Sequence, residues 1–164
     1  MNIQIRTALQ KENPLLVSLI RRGFKDVAEK FNLTQENCPT HSFFISEEKI
    51  QREFVKGVEF FILKCYNNDC GCVSLEYAKP GVCYLKRLAV LPEFRNKGMG
   101  KKLVSHCFKE VKEHGYSRIE IGIIAEQKDL QRWYEKRGFI HDRQVQFKHL
   151  LFLSTLCLLI WIDD

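Results

Sequence analysis

The stretch Val90-Leu91-Pro92-Glu93-Phe94-Arg95-Asn96-Lys97-Gly98-Met99-Gly100-Lys101 decides how this chain is read. It leaves an apolar run, breaks at a proline and enters a helix whose Leu103, Val104, Cys107, Phe108 and Val111 share one face. Four cations, Arg95, Lys97, Lys101 and Lys102, crowd the start of that helix. The macrodipole makes a helix N-terminus partly positive, so cations are misplaced there unless an anion joins them. With an anion present, free N–H groups, dipole and side chains all act on one charge, and Gly98 and Gly100 let the backbone approach it closely. The alternative is a plain helix start with solvated lysines.

Two familiar phosphate loops are excluded. A dinucleotide-binding fingerprint needs a third glycine where Leu103 stands, and a Walker A loop needs Gly-Lys-Ser/Thr where this chain has Gly100-Lys101-Lys102. The pattern Val90-x-Pro92-x-x-Arg95-x-x-Gly98-x-Gly100 instead resembles the acetyl-CoA pyrophosphate loop of the GNAT superfamily of N-acetyltransferases.

A second motif lies downstream. In Trp133-Tyr134-Glu135-Lys136-Arg137-Gly138-Phe139, Tyr134 and Leu130 share a helix face and Gly138 permits a left-handed cap. By itself Tyr134 reads as a core aromatic with its hydroxyl satisfied. Placed one strand after the glycine loop, Tyr-Glu-Lys-x-Gly-Phe resembles the second signature of the same superfamily.

The pattern along the chain predicts an α+β fold in the order β-α-α-β-β-β-α-β-α-β-β, a mixed, mostly antiparallel twisted sheet with helices on both faces. Residues 3–8 alternate as a strand, and Pro14 opens a helix carrying Leu16, Leu19, Ile20, Val27, Ala28 and Phe31 on one face, with slippage at Gly23. Residues 32–44 read as a loop, and Ser46 starts a second, short helix ended before Gly57. Strands are predicted over 60–66, 70–77, 83–91, 118–125 and 145–152, with a hairpin through Asn67-Asn68-Asp69 and a turn at Pro80-Gly81. The last helix is predicted over 128–137. The apolar run 150–162, interrupted by Ser154 and Thr155, is shorter than the ~20 residues that cross a bilayer and reads as two short strands, or one strand and a turn. The order is the one expected of a GNAT acetyltransferase, spanning residues 1–164 as one domain.

The resemblance implies residue roles. Leu88, Ala89 and Val90 would pair their backbone with the pantetheine arm of acetyl-CoA, the cosubstrate. Backbone N–H groups of Arg95, Asn96, Lys97, Gly98, Met99 and Gly100 would hold the pyrophosphate, with Arg95, Lys97 and Lys101 adding charge. Gln127 stands where the family often has an asparagine that touches the cofactor. Tyr134 matches the tyrosine proposed to stabilise or protonate the departing thiolate. A phenol near pKa ~10 facing a thiolate near ~8.5 donates uphill by roughly 2 kcal/mol, which favours a hydrogen bond over full proton transfer.

The acceptor side is less legible. An amine near pKa ~10.4 needs about 4–5 kcal/mol to be deprotonated at neutral pH. Many relatives are thought to use a strand-four glutamate, but that position here is Tyr84. Glu76, Glu120 and His41 are the remaining base candidates, and a water chain or a low-pKa acceptor would need none of them. The loop from Asn37 to Phe44 is a candidate acceptor wall or a plain surface turn. The expected reaction is direct attack by a small-molecule primary amine in a ternary complex; a protein or peptide amine and a non-catalytic acyl-CoA-binding module are the alternatives.

Composition sets the outer bounds. With 45% hydrophobic residues the chain can bury a sizeable core, and a net charge of +6 suits a polyanionic ligand. Apart from 95–102 the cations are dispersed and no nucleic-acid motif is visible, so neither nucleic acid nor a membrane is expected as partner. A homodimer is left open. Seven cysteines, an odd number, with no leader pattern ahead of the fold, predict reduced thiols in the cytoplasm. Cys65, Cys70, Cys72 and Cys83 lack paired C-x-x-C spacing, and no metal is expected.

Overall fold

The computed structural model of the protein describes residues 2–147 and 154–160. Its elements follow the predicted order: β1 (Ile3–Thr7), α1 (Asn13–Lys30), α2 (Glu47–Val55), β2 (Glu59–Cys65), β3 (Asn68–Lys79), β4 (Val82–Val90), α3 (Met99–Glu113), β5 (Arg118–Ile124), α4 (Lys128–Glu135), β6 (Ile140–Val145) and β7 (Ser154–Ile160). The strands form one sheet in the order β1-β2-β3-β4-β5-β7-β6. All pairings are antiparallel except β4 with β5, which the α3 crossover makes parallel.

β2 shows why this sequence makes a two-sided core. Phe61, Leu63 and Cys65 turn to the face covered by α3 and α4, while Phe60 and Ile62 turn to the face covered by α1 and α2. A strand buried on both sides loses its polar alternation and reads as a continuous apolar run. On the first face Leu103, Val104, Cys107 and Val111 of α3 and Tyr134 of α4 close the core; on the second, Leu16, Leu19 and Ile20 of α1 and Ile50 of α2 do.

The slippage at Gly23 marks close packing. A Cβ there would stand 2.6 Å from Ala89 Cβ, so only glycine lets α1 settle onto β4 at that height. The hairpin between β2 and β3 turns on Tyr66 and Asn67, with Cys65 paired to Asn68 and Tyr66 at φ 55°, one residue earlier than predicted.

The predicted strand over 145–152 is corrected. Val145 closes β6, Gln146 and Phe147 lie outside any strand, and the rest of that span falls outside the described residues. β6 instead occupies 140–145, an edge strand exposed on both faces over almost all its length, so it carries no apolar alternation to betray it. The apolar run over 150–162 supplies one described strand, β7, inserted between β5 and β6. Among the described residues no helix is long and apolar enough to cross a membrane.

Candidate active site

The sheet opens where β4 and β5 part. They pair only from Val82 to Tyr84 against Arg118 to Glu120, although β4 runs on to Val90 and β5 to Ile124. Beyond the Tyr84–Glu120 pair, β5 continues against β7 alone among the described residues. The gap belongs to a cavity of about 1080 Å³, floored by 84–88 of β4 and 120–124 of β5, with Tyr134, Gln127 and Leu130 of the α4 region at one side. The loop over 39–46 and the inner turn of α2 line the other side.

A bulge in β4 decides what faces this cavity. Cys72 pairs with Ala89 but Ser74 pairs with Lys86, so β4 carries one extra residue. Arg87, inside the bulge, adopts φ 54°, in the left-handed region. The bulge swaps the faces of the strand. Before it Cys83 and Leu85 point to the α3 side; after it Leu88 and Val90 do, while Ala89 and Leu91 point to α1. Arg87 is thereby turned to α2, where its Nη1 donates to Glu53 Oε2 at 2.5 Å. Lys49 Nζ and Lys86 Nζ stand 3.9 and 3.8 Å from the other oxygen of Glu53, itself buried.

Glu53 and Arg87 are among the charged site residues that sequence reasoning missed. A signal existed for both: Glu53 shares the inner face of α2 with Ile50, and Arg87 breaks the apolar run of β4.

The glycine loop has the donors expected of it. The first bond into α3 runs from the Lys102 N–H to the Gly98 carbonyl at 3.1 Å. Among the described residues nothing accepts from the N–H groups of Asn96, Lys97, Gly98, Met99, Gly100 or Lys101. Asn96 and Gly98, at φ 58° and 80°, give the turn its shape. The Trp133 ring lies 3.2 Å from where a Cβ of Gly100 would be, while the same construction at Gly98 meets open space.

The side chains divide differently. Arg95 is already committed: its Nε donates to Val90 O at 2.9 Å, and its Nη groups bond Gly23 O and Asp26 at 2.8 and 2.7 Å. Its N–H donates to Pro92 O. Burial opposes ionisation of Asp26, but Arg95 and backbone N–H groups outweigh it and hold the carboxyl below its usual range. Arg95 therefore fastens α1 to the end of β4. Lys97 Nζ donates to Glu93 O at 3.0 Å, and Lys101 lines a separate groove of about 590 Å³ beside Ile3 and Ile5 of β1. Leu88 lines the main cavity; Ala89 is buried behind it.

Tyr134 lines the cavity while the rest of its ring packs edge-on against Trp133 and Phe139. Burial, with smaller contributions from Cys107 and Cys157, pushes its pKa well up, so the phenol is a hydrogen-bond donor and a poor source of a free proton. The base candidates separate cleanly. Glu76 is bonded to Lys86 at 2.8 Å and is not part of the cavity wall. His41 lines the cavity and burial lowers its pKa, but Nδ1 accepts the Phe43 N–H at 3.3 Å, which puts the proton of the neutral ring on Nε2. Glu120 lines the cavity, takes one bond from Arg118 Nη2 at 2.6 Å on Oε1 and keeps Oε2 without a donor among the described residues.

All seven cysteines are free and buried, with Cys72 and Cys83 pushed up to about 12 by burial. Among the described residues no cluster of three or more His, Cys, Asp or Glu side chains has the arrangement of a metal site.

A parted β4–β5 pair, an N–H-rich glycine loop at the head of the crossover helix and a tyrosine in the cavity wall are the features on which the chain can be compared with known proteins. The model of the Acetyltransferase (GNAT) family matches residues 24–139, more than half of the chain. The chain belongs to the GNAT acetyltransferase family and is an acyltransferase. It is 25% identical over 141 residues, 84% of this chain and 81% of the other, to the uncharacterized N-acetyltransferase YjgM of Escherichia coli K12. The PaiA N-acetyltransferase of Thermoplasma acidophilum, solved in complex with coenzyme A, superposes with a TM-score of 0.80 at 20% identity over 98% of this chain and 100% of that one. The acetyltransferase yncA of Salmonella typhimurium, solved with acetyl-CoA, superposes with a TM-score of 0.76 at 16% identity over 100% and 96%.

Proposed function

We propose that this chain is an acetyl-CoA-dependent N-acetyltransferase that acetylates the primary amine of a small molecule by direct attack in a ternary complex. The observation that carries this reading is the cavity between β4 and β5, where among the described residues the facing strand edges have no partner and Tyr134 stands in the wall. The coenzyme A and acetyl-CoA complexes of proteins with the same fold support the choice of donor.

The residues present fit such a donor. A polyphosphate needs several N–H donors in one small arc, and 96–101 offer them where no Cβ intrudes at Gly98 or Gly100. In this reading the backbone of 88–90 binds the pantetheine arm, Gln127 at the head of α4 touches it, and Lys97 and Lys101 add long-range charge. Arg95 contributes by holding the loop in place. Acetyl-CoA, when bound, supplies a thioester whose C–S bond breaks as the C–N bond forms, the amine losing one proton and the thiol leaving with one.

Tyr134 steadies the leaving sulfur by donating a hydrogen bond, and Glu120 Oε2 takes the proton from the amine. The loop over 39–46 and the inner face of α2 line one side of the cavity, whose depth between helix and sheet supports a small acceptor. The seven unpaired thiols support a reducing compartment, and we read the chain as a single cytoplasmic domain.

Thiol release from acetyl-CoA across a panel of small amines and lysine peptides tests this function. The expected result is turnover with small amines. Turnover confined to peptides would contradict the small-acceptor assignment.

A further inference from the structure

The charge lining the cavity is strongly one-sided. Among the described residues Lys49, Arg52, Lys79, Lys86, Arg87 and Arg143 line it, against the carboxylates of Glu53 and Glu120. Including the partners that stand behind them (Arg118 on Glu120, Glu76 on Lys86, Asp142 on Arg143) gives seven cations to four carboxylates. Lys79 lies over the Tyr84 ring at 5.9 Å, with no carboxylate paired to it among the described residues. A site for a polyamine or an aminoglycoside would need the opposite balance, because low-dielectric walls strengthen repulsion between like charges.

Part of the surplus stands where β4 bulges, with Lys86 also bonded to Glu76 at 2.8 Å. Three cations, Lys49, Lys86 and Arg87, share the one buried carboxylate of Glu53. Arg87 spends Nη1 on Glu53, and among the described residues nothing accepts from its buried Nε. Arg87 lines the cavity and commits only Nη1 to Glu53, so its guanidinium can take a second carboxylate there.

We propose that the acceptor is a small amine that also carries a carboxylate, that Arg87 with Lys86 binds this carboxylate, and that Glu53 is a positioning residue which holds Arg87. This inference rests on the acetyltransferase reading and deepens it. The amine end of such a zwitterion then meets Glu120, the cavity carboxylate that has an oxygen to spare. The reaction itself is unchanged, with the acetyl group passing from sulfur to nitrogen.

The test uses purified full-length chain, acetyl-CoA and matched pairs of acceptors: free amino acids beside the amines left when their carboxyl group is removed, with aminoalkylphosphonates as a third arm. The proposal expects kcat/KM at least tenfold higher for the carboxylate member of a pair. It also expects Arg87→Met to raise KM for that member by tenfold or more with a smaller change in kcat, and Arg87→Lys to restore part of the loss. Because Arg87→Met strands Glu53 in the interior, the Arg87→Met/Glu53→Gln double variant repeats the measurement without that stranded charge. Equal or better turnover of the decarboxylated amines, preference for the phosphonates, or an unchanged KM in both variants would overturn the proposal. If acetyl-CoA neither raises the melting temperature nor releases thiol with any amine, the acetyltransferase reading fails first and the proposal goes with it.

Discussion

The Trp133 indole of α4 packs over Gly100 of α3, with its ring edge 3.2 Å from the position a Cβ would take there. Two motifs separated by a strand in the sequence thus meet in space, and the Arg137 guanidinium lies over the same indole, 4.1 Å from the ring centre. Replacing Gly100 by Val pushes a branched side chain into the indole and over the N–H groups of the loop. The expected outcome is a stability loss of about 1–3 kcal/mol from overpacking, with acetyl-CoA affinity falling at least tenfold beyond what the stability loss explains. Chemical denaturation and calorimetric titration of the variant measure the two effects separately.

Removing the Tyr134 hydroxyl leaves the ring contacts with Trp133 and Phe139 intact. Tyr134→Phe is therefore expected to fold normally and to lower kcat by about 10–100-fold with little change in KM for acetyl-CoA, since the lost bond belongs to the departing sulfur. Steady-state kinetics decides it, and an equal loss in donor affinity would contradict the role.

Glu120→Gln keeps the shape of the side chain and abolishes its basicity. Turnover of alkylamines near pKa ~10.4 should fall by about 10²-fold or more, while amines of lower pKa, already neutral at the assay pH, should lose much less. A uniform loss across the series would assign Glu120 to binding and not to proton removal.

At the far edge of the sheet, Arg6 grips Glu12 with both Nη groups, at 2.9 and 2.7 Å, and the Leu9 N–H adds a third bond. These contacts, the Arg6 bond foremost, lower the Glu12 pKa from 4.5 to about 2. The folded value lies below the unfolded one, so the stabilisation is complete above about pH 4.5 and is lost as pH falls toward 2. Glu12→Gln should be less stable than the parent by about 1 kcal/mol at pH 7, because the pair is partly solvated. Urea titrations at pH 7 and near pH 2 should show that gap and then its disappearance.

Much of the fold was legible because its signals are local. Pro14 opening α1, the apolar face of α3 and the Pro80-Gly81 turn are each fixed by a few neighbouring residues, and the element order follows from them. β6 was not legible, because an edge strand exposed on both faces needs no apolar alternation. The site split along the same line. The glycine loop and Tyr134 announce themselves through spacing, whereas the Glu53–Arg87 pair joins residues 34 apart through a bulge that only the β3–β4 register reveals. Arg95 illustrates the converse. Its place in the motif suggests a ligand contact, but Gly23 and Asp26, distant in sequence, take up its donors.

Acetyl transfer itself is tested most directly with acetyl-CoA labelled in its acetyl group, incubated with the purified chain and the amine panel. Free thiol and labelled amide are then counted together. The account predicts that the two appear one for one and that both depend on the acceptor. Thiol release without a labelled amide, or neither product while acetyl-CoA still raises the melting temperature, would contradict it.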